Sequence, residues 1–315
     1  MKKYMFLWLL SLVFVVIGCE EEDVDYEELR QEGRYFDLYM DANYPEWNSD
    51  DEDFYFESYE VGDGISPDTG DYVLVNYIAY TIPDETVVDT YVEEWATDYN
   101  LYNSNVLYGP YKYKHGTEIE GLQKGVSMMQ EGGVARLLFK SNLGYGKDGF
   151  NNIDGYESLM YDVELLEVIK DPVAKEVNQI NKYLEDNPGY IVVNDPDSDF
   201  QMYVYHTEVG DSVFIKNEQS VEVFYTGQLL DGRIFDSNES NASGLNVVVG
   251  DAEVIKGWDL GLPYLKYGSK GRFLIPHQLA YGEEGSMTST EKTSVPPYEA
   301  LLFEIEVVKS AVEED

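Results

Sequence analysis

The sequence has few cysteines, histidines and basic residues, and each shortage excludes a class of protein. Cys19 is the only cysteine among 315 residues, so no intramolecular disulfide can form and the fold depends on its core. The histidines His115, His206 and His277 are too scattered to form a metal-ligand motif, and we expect structural or surface roles for them. Only 21 lysines and arginines accompany 61 acidic residues. A formal net charge of -40 repels phosphate backbones and excludes nucleic acid as a partner.

The common catalytic motifs are also missing. The chain has no glycine-rich phosphate loop and no Ser/His/Asp arrangement. Residues 194–199 are rich in carboxylates but lack the central glycine and terminal glutamate of a calcium loop, so we expect a solvated turn there. We therefore expect no cofactor and no metal.

The amino terminus has the pattern of a secretory signal peptide. Lys2 and Lys3 precede an apolar run over residues 4–17. This run is shorter than the roughly 20 residues that span a bilayer comfortably. A charged start, a short apolar stretch and small residues at its end are typical of a signal peptide, which we place at residues 1–18.

The signal peptide ends at a sequence that resembles the bacterial lipobox, Val16-Ile17-Gly18-Cys19. The resemblance implies that Cys19 is lipidated and anchors the protein to a membrane, which we expect to be the outer one; the alternative is a spare thiol. The acidic run 20–23 follows directly. It is either a solvated tether or, by resemblance, the surface-export signal of Bacteroidetes lipoproteins, so the predicted location is the bacterial cell envelope with its face undetermined.

An internal repeat divides the rest of the chain. Residues 53–64 and 199–211 are alternating strands that end in a Gly-Asp turn, and each leads to a second strand ending in a tyrosine, Tyr77 or Tyr225. The length also favours two domains. The predicted organisation is a signal peptide (1–18), an acidic tether with an N-terminal helix (19–52), a first domain (53–171), a linker helix (172–190) and a second domain (191–315).

A helical pattern precedes each repeat. In the linker, Val173, Val177, Ile180 and Leu184 form an apolar stripe at helical spacing, and Asn187-Pro188-Gly189 ends it. Residues 26–40 form a weaker equivalent before the first repeat.

An aromatic constellation in the second repeat carries the functional prediction. It consists of Val254-Ile255-Lys256-Gly257-Trp258 together with Tyr225, Phe235-Asp236, Tyr281 and Phe303. Over about residues 205–309 this set resembles the FKBP-type peptidyl-prolyl cis-trans isomerases. The resemblance implies an α+β fold of two tandem domains, each an antiparallel sheet of about five or six strands wrapped around one short helix.

The resemblance also implies a role for each pocket residue. Trp258 would be the floor under the proline ring, while the backbone N–H of Ile255 and the hydroxyl of Tyr281 would hold substrate carbonyls. The remaining residues would form the walls and sides. The complete predicted set is Tyr225, Phe235, Asp236, Val254, Ile255, Trp258, Tyr281 and Phe303.

The second repeat departs from the family pattern at two places. Leu245 stands where the family usually has phenylalanine, and the loop over residues 283–294, with Ser286 near a position that is often histidine, is longer than in small members. These differences bear on substrate preference and macrolide binding.

The first repeat departs more strongly. It keeps tyrosine and aspartate positions of the pocket, but Leu122 replaces the tryptophan, Val88 replaces the phenylalanine, and residues 90–108 form an aromatic insertion. The retained equivalents are Tyr77, Asp89, Ile119 and Tyr145, with Tyr161 in place of Phe303. We therefore expect a scaffold or substrate-holding module here rather than a second catalytic centre.

The sequence predicts an isomerase acting on Xaa-Pro bonds of exported or envelope proteins, with proline-containing polypeptides as partners. The main alternative is a non-catalytic FKBP-like chaperone or interaction module, which the altered first repeat favours. A structural component of a surface assembly is a third possibility.

Overall fold

The computed structural model describes residues 26–47, 51–210, 213–288 and 292–308, so the predicted signal peptide and Cys19 lie outside the described residues. The α-helices are α1 (Tyr26–Asn43), α2 (Glu93–Asp98), α3 (Glu120–Ser127), α4 (Pro172–Asp186) and α5 (Lys256–Gly261). None of the helices in these ranges is both long enough and apolar enough to cross a bilayer.

The strands fall into two consecutive sets. The first contains β1 (Phe54–Glu60), β2 (Tyr72–Ile82), β3 (Thr86–Thr90), β4 (Tyr111–Lys114), β5 (Val134–Phe139) and β6 (Ser158–Ile169). The second contains β7 (Ile191–Asn194), β8 (Gln201–Glu208), β9 (Ser220–Leu229), β10 (Ile234–Ser237), β11 (Leu245–Val248), β12 (Lys270–Ile275), β13 (Ser286–Met287), β14 (Thr293–Val295) and β15 (Leu301–Val307).

The first main sheet runs β1-β5-β6-β2-β3, with β4 also paired to β2. The second repeats this order with its equivalent strands, β8-β12-β15-β9-β10 and β11 paired to β9, and adds β7 beside β8. The named strand pairs are antiparallel. The predicted α+β class with two tandem antiparallel units is confirmed, and β7 extends the second sheet beyond the predicted strand number.

Helix α5 lies very close to β12 because two glycines face the strand. A Cβ atom on Gly257 would lie 2.5 Å from Ile275, and one on Gly261 would lie 2.6 Å from Phe273. Helix α3 has the same pair of glycines against β5. Only a hydrogen fits at these positions, and the close contact fixes the direction in which the next residue, Trp258, enters the pocket.

The opposite face of each sheet is covered by the helix that precedes it. In the second domain Leu274 packs with Ile180 of α4, whereas its neighbours Phe273 and Ile275 face the other core beside Trp258. Helix α1 covers the first sheet in the same way. Adjacent strand residues point to opposite faces, so burial on both sides requires a continuous apolar run, as seen in the last three residues of β5 (137–139) and of β12 (273–275).

The predicted stripe on α4 is wrong in its first half. Val173 and Val177 are 40% and 46% exposed, while Glu176 is 1% exposed and Ile180 is buried. Each residue advances about 100° around a helix, so burying Glu176 turns its neighbour Val177 toward solvent.

The buried glutamate ties α4 to the turn that leads to the pocket. The Glu176 carboxylate accepts a hydrogen bond from the backbone N–H of His277 at 2.6 Å and also contacts the Nδ1 of its ring. In the first domain Glu32 of α1 accepts from the backbone N–H of Ser141 at 2.5 Å. His277 begins a 3₁₀ turn four residues before Tyr281, and Ser141 begins one four residues before Tyr145. Helices α4 and α1 therefore support the same part of their respective domains.

The insertion of the first domain and the long loop of the second domain meet at the contact between the two domains. The hydroxyl of Tyr91, in the insertion of the first domain, accepts from the backbone N–H of Thr293 at 2.8 Å, and the N–H of Leu107 donates to the Thr293 carbonyl at 3.1 Å. A buried ion pair joins Lys112 to Glu299 at 2.8 Å. The insertion and the long loop therefore form an interface that joins the two domains.

Candidate functional site

Trp258 forms the base of an aromatic pocket in the second domain. It is 3% exposed and lies in the first turn of α5, where its backbone N–H bonds to the carbonyl of Ile255 at 2.9 Å. The rings of Tyr225 and Phe303 meet the indole edge-on, at centroid distances of 5.0 and 5.2 Å and angles of 84° and 89°. Edge-to-face contacts of this kind hold the rings at fixed angles.

The cavity above the indole has a volume of about 410 Å³. Seven of the eight predicted residues line it, and the eighth, Phe235, packs against the walls, 5.6 Å from Phe303 and 6.5 Å from Tyr281. Two further lining residues are Leu245, already noted as a departure from the family, and Glu253, which precedes Val254 and was not anticipated. The cavity is thus lined mainly by apolar and aromatic side chains.

A short hydrogen-bond chain fixes the polar side of the pocket. The Tyr225 hydroxyl donates to Asp236 at 2.6 Å, and the buried Asn238 accepts from the Tyr225 backbone N–H at 2.6 Å and donates to the Val223 carbonyl at 3.0 Å. Burial, together with the hydrogen bond to Asp236, raises the pKa of Tyr225 above its usual value. Asn238 was not predicted, since an asparagine between a strand and a turn gives no sequence signal of this role.

Tyr281 stands at the rim of the pocket. It is 37% exposed, and burial raises its pKa. Its position follows from the 3₁₀ turn His277–Leu279, which Glu176 holds in place. Since the pKa values of Tyr225 and Tyr281 are both raised, both hydroxyls keep their protons at neutral pH and can donate hydrogen bonds.

The first domain has a cavity of about 380 Å³ at the equivalent place, with different chemistry. The Tyr77 hydroxyl donates to Asp89 at 2.8 Å, as Tyr225 does to Asp236. Leu122, buried in the helix that matches α5, stands in the position of Trp258. The repeat places Glu118 where the second domain has Val254.

Most of the carboxylate-rich turn at residues 194–199 is exposed, as predicted, but Asp195 within it is buried. Asp195 is 4% exposed and pairs with Lys256 of α5 at 2.7 Å. Within the described ranges no group of three or more His, Cys, Asp or Glu residues is arranged to hold a metal ion. The turn therefore fastens the start of α5 beside Trp258.

Comparison with known proteins gives matches in both halves of the chain. The family model of FKBP-type peptidyl-prolyl cis-trans isomerases matches residues 64–166 and 211–308. The chain is 36% identical over 128 residues to the FKBP-type 22 kDa peptidyl-prolyl cis-trans isomerase of Escherichia coli, covering 41% of this chain and 58% of that protein. It is 25% identical over 241 residues to human FKBP9, covering 76% of this chain and 35% of that protein.

Among solved structures, the three FKBP domains of wheat FKBP73 align with 82% of this chain and 95% of theirs, at 22% identity and a TM-score of 0.33. The chain spans less than two thirds of the length of the two curated relatives above. The family model itself covers well over half of this chain. The chain therefore belongs to the FKBP-type peptidyl-prolyl cis-trans isomerase family and contains the family domain twice.

Proposed function

We propose that the second domain catalyses the cis–trans isomerisation of Xaa-Pro bonds in exported or envelope polypeptides. The observation that carries this proposal is the indole of Trp258, held at the base of the cavity by Tyr225 and Phe303 at 5.0 and 5.2 Å. A flat, apolar surface between aromatic walls suits the pyrrolidine ring of proline.

The reaction needs no nucleophile. Rotation about the peptide bond has a barrier of about 18–20 kcal/mol because the planar amide is resonance-stabilised. The twisted transition state has lost that resonance and is less dipolar, so an apolar cavity favours it over the planar ground state. In the proposal, the backbone N–H of Ile255 and the hydroxyl of Tyr281 donate to the substrate carbonyls, while the bonded pair of Tyr225 and Asp236 keeps one wall in place.

A non-catalytic chaperone or interaction module is the second candidate. The altered first domain favours it, since Leu122 removes the flat floor and Glu118 introduces a charge beside it. In a combined view the first domain holds client segments and the second isomerises them.

Turnover on proline-containing peptides tests the catalytic proposal. A soluble form that begins after Cys19 should accelerate isomerisation above the uncatalysed rate, as followed by a conformer-selective protease or by NMR exchange. A folded protein without such acceleration would overturn the catalytic proposal and leave the second candidate.

We also propose that Cys19 carries a lipid and anchors the protein in the cell envelope. The lipobox-like sequence before Cys19 and the acidic run after it support this location. Several acyl chains, at about 0.8 kcal/mol for each buried methylene, hold a protein firmly on a bilayer. In a bacterial host that processes lipoproteins, Cys19→Ser should move the protein from the membrane to the soluble fraction and abolish incorporation of labelled palmitate. Membrane retention of this variant without label would contradict the anchor.

A further inference from the structure

The cavity of the first domain contains a carboxylate without a cationic partner. Glu118, in the place of Val254, is half-buried and accepts a hydrogen bond from the Tyr111 hydroxyl at 2.6 Å. In the described part of the chain no lysine, arginine or histidine forms an ion pair with it; Lys292, the cation that lines the cavity, pairs with Asp89 instead. A half-buried carboxylate in this position favours a positively charged guest.

Several tyrosine rings line the same cavity as this carboxylate. Tyr111 stacks on Tyr91 at 4.6 Å, lies 6.0 Å from Tyr77, and stands in the strand register where the second domain has Leu245. The faces of aromatic rings carry negative electrostatic potential and attract ammonium and guanidinium groups. The first domain thus has Leu122 in place of the indole floor, Glu118 in place of the valine wall, and Tyr111 in place of Leu245.

The same ring set already holds one ammonium group. The Nζ of Lys292, from the long loop of the second domain, lies 4.6 Å from the centroid of Tyr91 and pairs with Asp89. This pair is close to neutral, so the negative charge of Glu118 remains uncompensated inside the cavity. The space left, about 380 Å³, is large enough for a further side chain.

We propose that the first-domain cavity binds the cationic side chain of a lysine or arginine in an extended polypeptide, with Glu118 as its counter-ion and the rings of Tyr111 and Tyr77 as its walls. An apolar proline ring would cover the Glu118 carboxylate without compensating its charge, so this cavity discriminates against proline. The inference does not depend on catalysis at Trp258.

Calorimetric titration of the soluble chain that begins after Cys19 tests this site directly. The probes are two proline-free hexapeptides that differ only by lysine or norleucine at the central position, and butylamine as a free cation. We expect the lysine peptide to bind at least about tenfold more tightly than the norleucine peptide, since norleucine has an alkyl side chain without the charge.

Two isosteric variants provide the matched pair. Glu118→Gln should weaken binding of the lysine peptide by about tenfold. Glu120→Gln removes the same charge from an exposed position at the start of α3 and should leave the binding unchanged. The comparison separates a specific site from the general attraction of a cation to an acidic protein.

Each outcome decides the proposal. Equal affinity for the two peptides, equal effects of the two variants, or no measurable binding of any cationic probe would overturn it. Binding of butylamine as tight as that of the lysine peptide, with the same loss in Glu118→Gln, would support the cation site and identify free amines as its ligands. The comparison of the two peptides uses the soluble chain without substitutions, so it tests the proposal even if a variant fails to fold.

Discussion

Replacing Trp258 with leucine, the residue that the first domain has at the equivalent position, is expected to lower kcat/KM for proline-containing peptides by about one to two orders of magnitude. The indole is the base of the cavity and holds the angles of Tyr225 and Phe303 through two edge-on contacts. Leucine would remove both contacts and the flat surface on which we propose that the proline ring lies. The loss corresponds to about 1.4–2.8 kcal/mol of transition-state stabilisation.

The matched control for this substitution is Trp95→Leu. Trp95 lies in α2 of the first domain and lines neither aromatic cavity. We expect this variant to keep full turnover on the same peptides. Circular dichroism should show that both variants are folded, and a Trp258→Leu protein with unchanged turnover would contradict the assignment of Trp258 as the floor of the catalytic site.

Glu176→Ala is expected to reduce the free energy of unfolding of the second domain by about 3 kcal/mol. The substitution removes the carboxylate of the buried Glu176–His277 pair and leaves the His277 ring without this partner. Both side chains of the pair are buried, and the carboxylate also satisfies the backbone N–H of His277. The Glu176→Gln variant keeps one acceptor oxygen, so its free energy of unfolding should fall by less. Denaturant unfolding at neutral pH, followed by circular dichroism, measures the differences.

Glu185→Ala is the control on the same helix. Glu185 is exposed, and its loss should change stability by less than about 0.5 kcal/mol. Equal stability of Glu176→Ala and Glu185→Ala would show that the buried pair does not fasten α4 to the sheet.

The altered first domain and the long loop of the second domain form one structural unit. Lys292 of the loop pairs with Asp89, and Thr293 bonds to Tyr91 and Leu107 of the insertion. The first-domain cavity is therefore completed in part by the second domain. In the sequence the two segments are separate irregularities, each without an evident purpose.

Much of the architecture could be predicted from local patterns. Alternating apolar residues, Gly-Asp turns and the repeated order of motifs indicated two copies of one antiparallel unit. The strand and helix patterns depend on residues close together in the chain, so periodicity was enough to infer them. The pocket side chains were instead implied by the resemblance of Val254-Ile255-Lys256-Gly257-Trp258 and its aromatic partners to the FKBP family.

The remaining features depend on contacts between distant residues. The apolar stripe on α4 predicted burial of Val177, but the long-range partner His277 buries Glu176 instead and turns the helix. Likewise, Glu118 reads as one more acid in an acidic chain until the fold places Tyr111 beside it. Local sequence sets which face of an element is apolar, whereas the partner that compensates a buried charge is chosen only when distant segments pack together.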